Sequence, residues 1–293
     1  MRLVSKLIPV VCLLTLSLGA RAEENKVATA AYDHGVAVLT TGDFDGAMNS
    51  FKEASKADPE NELYRKELAL VARVKVLRGA LPKVYDDTAK WDKIASSLRA
   101  YYMQHAVFGE AVAVDKLRFV RFKTAAVAID LAESELESYA NADAVKILKA
   151  LKPEERTVRA NVMLGIGLAR QKDLDGAKVL SARFANTEDA DAQLLYDQSC
   201  LLALVGDTDA AAAKLTTCFE KIPAGPLATL KRYSHTRRDL AALRTPAFAS
   251  VWKTESMVKA GGCAGCSSAG TCGEEDTEGS CSDDDKKDSG DKN

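Results

Sequence analysis

Apolar residues recur three and four positions apart along most of the chain, as in the stripe Leu63, Leu68, Leu70, Val71 and Val74. Nowhere do β-branched and aromatic residues alternate with polar ones over six or more positions, the pattern of a half-buried strand. Alanine, leucine, lysine and glutamate dominate the periodic stretches. The prolines Pro59, Pro82, Pro153, Pro223, Pro226 and Pro246 fall between these stretches. A proline inside a helix removes a hydrogen bond and clashes with the preceding turn, so each is read as a joint. The pattern predicts an all-α fold.

A recurring turn organises the helices. Gly42-Asp43-Phe44-Asp45-Gly46-Ala47 returns as Lys172-Asp173-Leu174-Asp175-Gly176-Ala177 and again as Gly206-Asp207-Thr208-Asp209-Ala210-Ala211. Looser copies are Phe108-Gly109-Glu110-Ala111 and Ala140-Asn141-Ala142-Asp143-Ala144. Successive copies stand roughly 33 or 34 residues apart, the period of a helix–turn–helix repeat. Gly42 and Gly206 suit the left-handed conformation that closes a helix. In the first unit Gly35 and Ala47 are the small contacts and Phe44 and Phe51 the large ones, with Asp58-Pro59 as the stop. Leu195, Leu202, Ala211 and Leu215 play the same parts in the last clear unit, which Pro223 ends.

These units resemble the tetratricopeptide repeat family, in its exported bacterial form. The resemblance is carried by Gly35, Gly42, Phe44, Ala47, Phe51, Ala54 and Pro59, then by Leu164, Gly165, Leu174 and Ala177, and by Gly206, Ala211 and Pro223. It covers residues 26–255. Arg99 and Ser199 depart from it, standing where the family prefers a small, glycine-like residue. Residues 60–90 lack the turn signature, so a longer or irregular helix pair is expected there. Asp239 to Arg244, with Pro246 and Phe248, looks like an endpiece that covers the last apolar face.

The resemblance implies a superhelical array of antiparallel helix pairs whose first helices line a concave groove for a protein or peptide. In that register Tyr32 and Val36 face inward, followed by Arg159, Val162, Ile166 and Arg170, and then by Gln193 and Tyr196. Arginines beside aliphatic residues suit an extended peptide carrying an acidic group or a free carboxylate. The family's lysine–asparagine carboxylate clamp is not carried over, because Asp33 and Val36 stand at those places.

The two ends differ from the array. Met1-Arg2 and Lys6 precede an apolar run from Leu7 to Leu18, and Gly19-Ala20-Arg21-Ala22 supplies a small-x-small pattern. Residues 1–22 therefore read as a cleaved signal peptide, giving a periplasmic or secreted protein. Cys12 inside the run lacks the context of a lipidation site. No later apolar run approaches the ~20 residues of a membrane span. At the other end, residues 256–293 form a low-complexity tail rich in Gly, Ser, Asp and Cys, expected to be disordered for want of apolar surface to bury. From Glu274 onward it holds nine acidic and three basic residues, a net of −6 against −2 for the whole chain. A net charge so near zero gives no case for nucleic acid as a partner.

The tail's Cys263-Ala264-Gly265-Cys266, with Cys272 and Cys281, is the sharpest local motif. Four thiolates could hold Zn²⁺ tetrahedrally. Export favours disulfides instead, and the spread second pair leaves a third state, no defined role, open. Zn²⁺ at these cysteines is the one cofactor the sequence brings into question. Cys200 and Cys218 sit too far apart in an antiparallel pair for a disulfide, and are expected to be unpaired and half-buried. No phosphate loop, GxSxG or HExxH occurs, and His34, His105 and His235 fall in separate units. Glu133, Glu135 and Glu137 read as a solvated charge cluster. The expected function is a non-catalytic scaffold. The alternative is a metal-binding or redox-responsive protein acting through its tail.

Overall fold

The computed structural model describes residues 26–184, 187 and 190–258. The expected leader and the cysteines Cys263, Cys266, Cys272 and Cys281 lie outside the described residues. Helix α1 spans 26–40. It is followed by α2 (Phe44–Ala57), α3 (Glu62–Ala80), α4 (Thr88–Gln104), α5 (Phe108–Phe122), α6 (Ala125–Glu137) and α7 (Asn141–Ala150). Then come α8 (Val158–Arg170), α9 (Leu174–Phe184), α10 (Ala192–Val205), α11 (Thr208–Glu220), α12 (Ala224–Thr236) and α13 (Ala249–Lys253). No strand occurs among the described residues, and no described helix is long and apolar enough to cross a membrane. The fold is all-α, a tetratricopeptide-like array of helix hairpins.

The repeated turn is built the same way each time. Each bend holds one residue at positive φ: Gly42 (82°), Ala106 (56°), Tyr139 (63°), Lys172 (73°) and Gly206 (93°). At the last four bends the next residue's N–H reaches back five positions, from Val107 to Tyr102, Ala140 to Glu135, Asp173 to Leu168 and Asp207 to Leu202, at 2.8–3.0 Å. That bond satisfies a helix-end carbonyl which would otherwise lack a partner. The aspartate of the motif then caps the second helix. Asp43 accepts from Gly46 N at 2.8 Å, Asp173 from Gly176 N at 3.0 Å and Asp207 from Ala210 N at 3.3 Å. Val107 and Ala140 cap α5 and α7 without a side-chain bond, which is why those two copies are faint in the sequence.

Five residues after each left-handed residue stands an alanine: Ala47, Ala111, Ala144, Ala177 and Ala211, each with 0% of its surface exposed. A methyl group is what lets the two helices of a hairpin meet at that crossing. Seven residues before and nine after each left-handed residue stand a second pair. In the first unit it is Gly35 and Phe51, and a Cβ on Gly35 would come within 2.7 Å of the Phe51 ring. Later units use Ala132 with Leu148, Gly165 with Ser181, and Ser199 with Leu215, all buried. The unit of α4 and α5 uses Arg99 and Asp115 instead, an ion pair where the others have uncharged residues.

Residues 60–90 hold one long helix, α3, closed by a 3-10 turn over Leu81–Val84. Of the stripe read there, Val71 and Val74 are buried, while Leu63 is 46% exposed because it lies in the first turn of the helix, clear of the main core. Pro226 corrects the reading of every proline as a joint: it lies inside α12, in the first turn, where a missing N–H leaves no bond unmade. The apolar core forms two main clusters. One runs from Leu39 to Val114 and the other from Ala132 to Val251. Asp115, Arg118 and Asp130 fall between them in sequence.

The bends give a direct test. Lys172→Gly and Tyr139→Gly relieve left-handed backbone and are each expected to raise stability by about 0.5–1 kcal/mol. Gly206→Ala is expected to lower it by about 1 kcal/mol through backbone strain, since nothing lies within 4 Å of the added Cβ. Urea midpoints of the three variants check the signs.

Candidate functional site

Three of the groove candidates are core residues. Val162, Ile166 and Tyr196 are buried because α8 and α10 are covered on nearly all sides, α10 being buried continuously from Leu195 to Ala203. Gln193 is exposed and donates through Nε2 to Asp197 Oδ1 at 3.3 Å. Val36 is 40% exposed. Tyr32 is half-buried, its ring 5.6 Å from Phe51 and 5.0 Å from Tyr64 between centroids. Burial and the neighbouring Glu67 push the Tyr32 phenol up, while Arg232 of α12 pulls it the other way.

Arg159 and Arg170 are not solvated groups. Arg159 donates through Nε to Asp197 Oδ2 at 2.7 Å and through Nη2 to Glu133. Glu133 also takes Nη2 of Arg99 at 2.6 Å, and Arg99 Nε reaches Asp115 Oδ2 at 3.0 Å. Arg118 extends the network to Asp130 at 2.7 Å and Asp92 at 3.2 Å. An ionic line therefore links α4, α5, α6, α8 and α10. The glutamates of α6, read as a solvated cluster, are held within it or beside it. Glu135 pairs with Lys116 at 2.9 Å, and Glu137 accepts from Arg237 Nη1 at 2.7 Å. These partners lie 19 to 100 residues away along the chain, so spacing within α6 could not reveal them. The departure of Arg99 from the small residue of its repeat position was the legible signal.

Arg170 belongs to a second, deeper cluster. Its Nε and Nη2 grip Asp239 Oδ1 and Oδ2 at 3.0 and 2.6 Å, a two-pronged bond that fixes the carboxylate's plane. Nη1 also donates to Leu136 O at 2.6 Å. Arg237 Nε shares Asp239 Oδ2 at 3.0 Å, while its Nη1 spans to Glu137. Tyr233 OH completes the group by donating to Glu137 Oε2 at 2.6 Å. Burial pushes the Asp239 carboxyl up, but the two arginines outweigh it and hold it below its ordinary value. Leu240 and Leu243, in the 3-10 turn Arg238–Leu243, are fully buried against this part of the core. The expected endpiece therefore covers the end of the array and also holds a carboxylate in an arginine fork.

Cys200 and Cys218 are unpaired, as expected, and fully buried rather than half-buried. Burial pushes the Cys218 thiol up to about 12, and its Sγ donates to Ala192 O at 3.2 Å. Burial raises Cys200 further, out of reach of oxidants that need a thiolate. The histidines stay in separate settings. His34 Nδ1 meets Ser50 Oγ at 3.0 Å, His105 stacks on Tyr101 with centroids 4.2 Å apart, and His235 lies 4.1 Å from Trp252. Among the described residues no group of His, Cys, Asp or Glu is arranged to hold a metal ion.

Asp197 makes the ionic line sensitive to pH. Its complete burial outweighs Arg159 and pushes the carboxyl up to about 6 from an ordinary 3.8. A raised folded-state pKa means that the folded chain binds the proton more tightly, so stability falls as pH rises from about 4 through 6. Between pH 7 and pH 5 this group is expected to add about 1.4 kcal/mol to stability. His105, held low by burial, works in the opposite sense. Urea unfolding of wild type and Asp197→Asn at both pH values isolates the effect, since His105 is common to both. An unchanged pH dependence in the variant counts against the assignment.

No family model and no curated protein matches the chain. Among solved structures it is similar to the crystal structure of a tetratricopeptide repeat protein from Parabacteroides merdae ATCC 43184, at 15% identity, covering 78% of this chain and 98% of that one, with a TM-score of 0.39. The repeat assignment itself rests on the five bends and their buried alanines.

Proposed function

We propose that the chain is an exported, non-catalytic scaffold whose first-helix face holds a segment of another protein. The observation that supports this most is Arg170, which grips a carboxylate from a segment 69 residues away while Leu240 and Leu243 fill apolar space beside it. Arginines for an acidic group and an apolar groove for aliphatic side chains are general means of holding a peptide. The half-buried Tyr32 and exposed Val36 offer a second, uncovered stretch at the N-terminal end. Export rests on the leader read over residues 1–22, and mass spectrometry of protein from the cell envelope is expected to find a first residue of Glu23.

The scaffold reading is tested by cross-linking pull-down from envelope extract. Wild type is expected to retain a protein that Tyr32→Ala/Val36→Asp loses at least tenfold, while both chains keep the same helicity. Equal capture by the two, or turnover of a substrate by the purified array, counts against it.

The tail cysteines support a second reading, a metal or redox role. It predicts that deleting residues 260–293 removes bound Zn²⁺ or reactive thiols together with the phenotype. On the scaffold reading the deletion leaves partner capture intact.

A further inference from the structure

We infer that the face of α6, α8 and α10 beneath residues 237–243 is a recognition site for a partner segment of pattern Arg-x-Asp-Leu-x-x-Leu, and that this chain fills the site with its own copy. The inference deepens the scaffold reading and rests on it.

The segment is held as a bound peptide is held, by side chains. Its aspartate lies in the Arg170 fork, its arginine bonds Glu137, and its two leucines are fully buried. The groups that receive it come from helices far back in the sequence, 69 residues away for Arg170 and 100 for Glu137. The segment itself is a short 3-10 turn with no side-chain cap of its own. The connection to the array runs through few buried side chains. Of the thirteen residues of α12 only Leu227 and Ser234 are buried, and the helix leaves α11 through a proline turn at Pro223. Helix α12 and residues 237–243 thus form an arm that is held again beyond Leu243, where Val251 is buried and Trp252 Nε1 donates to Leu243 O at 2.9 Å.

The site dictates what it would accept. With the arm lifted, Arg170 loses its bidentate partner and demands a planar carboxylate. Glu137 demands a cation two positions earlier, and the slots of Leu240 and Leu243 demand aliphatic residues one and four positions later. An external segment must displace a tethered copy whose effective concentration is of millimolar order. Binding by the wild-type chain is therefore weak, and it strengthens when the arm is loosened. Cys200, fully buried on α10, the helix against which the 3-10 turn packs, reports the opening.

The test uses the full chain and a fluorescein-labelled peptide with the sequence of residues 235–245. Asp239→Ala/Leu240→Ala is expected to bind it with a Kd of about 50 μM, at least tenfold tighter than wild type. Adding Arg170→Ala, or replacing the peptide's aspartate by asparagine, is expected to abolish binding. Should the double variant lose helicity, the segment is an integral part of the core and the inference fails. The gentler Glu137→Gln removes the charge that Arg237 and Tyr233 share and leaves the Asp239 fork intact, and alkylation of Cys200, located by peptide mapping, is expected to speed up about tenfold. Unchanged Cys200 labelling, no peptide binding by a folded variant, or exchange of arms between two copies without peptide binding each overturns it. A chain that rejects this peptide yet captures a protein through Tyr32 and Val36 loses this inference and keeps the scaffold reading.

Discussion

Asp115→Ala is expected to lower stability by about 3 kcal/mol, and Arg99→Ala/Asp115→Leu to restore it to within about 1 kcal/mol of wild type. Asp115 is fully buried, with Arg99 Nε at 3.0 Å and Arg118 Nη1 at 3.4 Å. Removing it leaves two guanidinium groups short of a partner in a place where water reaches poorly, and that desolvation cost makes the loss large. The double replacement works differently because the repeat supplies a template. Ala132 and Leu148 occupy the same two places one unit later, and both are buried without charge. Arg99 also serves Glu133, but Glu133 keeps Arg159 as a second partner, so its charge is not abandoned. Urea unfolding of Arg99→Ala, Asp115→Leu and the double closes a thermodynamic cycle. A coupling of about 2 kcal/mol or more is expected. Additive losses would show that the Arg99–Asp115 pair does not occupy the small-and-large position of its repeat.

The second large effect tests the array itself. Ala144→Leu and Ala177→Leu are each expected to lose about 2–3 kcal/mol, because three added carbons must enter a crossing with no space. Both alanines have no exposed surface and stand five residues beyond a left-handed bend. Ala182→Leu, exposed on the same helix as Ala177, is expected to change stability by less than about 0.5 kcal/mol. Denaturant midpoints measured on the three variants decide the matter. If Ala144→Leu is as harmless as the surface control, the periodic crossing is not what positions α7 against α6.

How much of this was legible depended on distance along the chain. The bends at Gly42, Lys172 and Gly206 were readable because a left-handed residue, an aspartate cap and a small contact all fall within six positions. The bends at Ala106 and Tyr139 lack both the glycine and the aspartate cap, so they were found only through the period. The groove register placed Val162, Ile166 and Tyr196 inward, and they do point inward, but into a filled core. A helical pattern gives the apolar face of a helix without giving the number of neighbours around it. Burial of α10 on nearly every side comes from α8, α11 and the 3-10 turn of residues 238–243 together.

The sequence by itself determined the all-α class, the 33- to 34-residue rhythm, the hairpin bends and the small residues that let paired helices touch. Each of these follows from backbone sterics and side-chain size acting within a turn or two. Tertiary structure alone decided which charges are buried and with whom. A carboxylate such as Asp239 or Glu133 looks like any surface acid until helices from 26 to 69 residues away bring arginines to it. Electrostatic energy in a dry interior depends on that three-dimensional proximity, and the order of residues along the chain does not encode it locally.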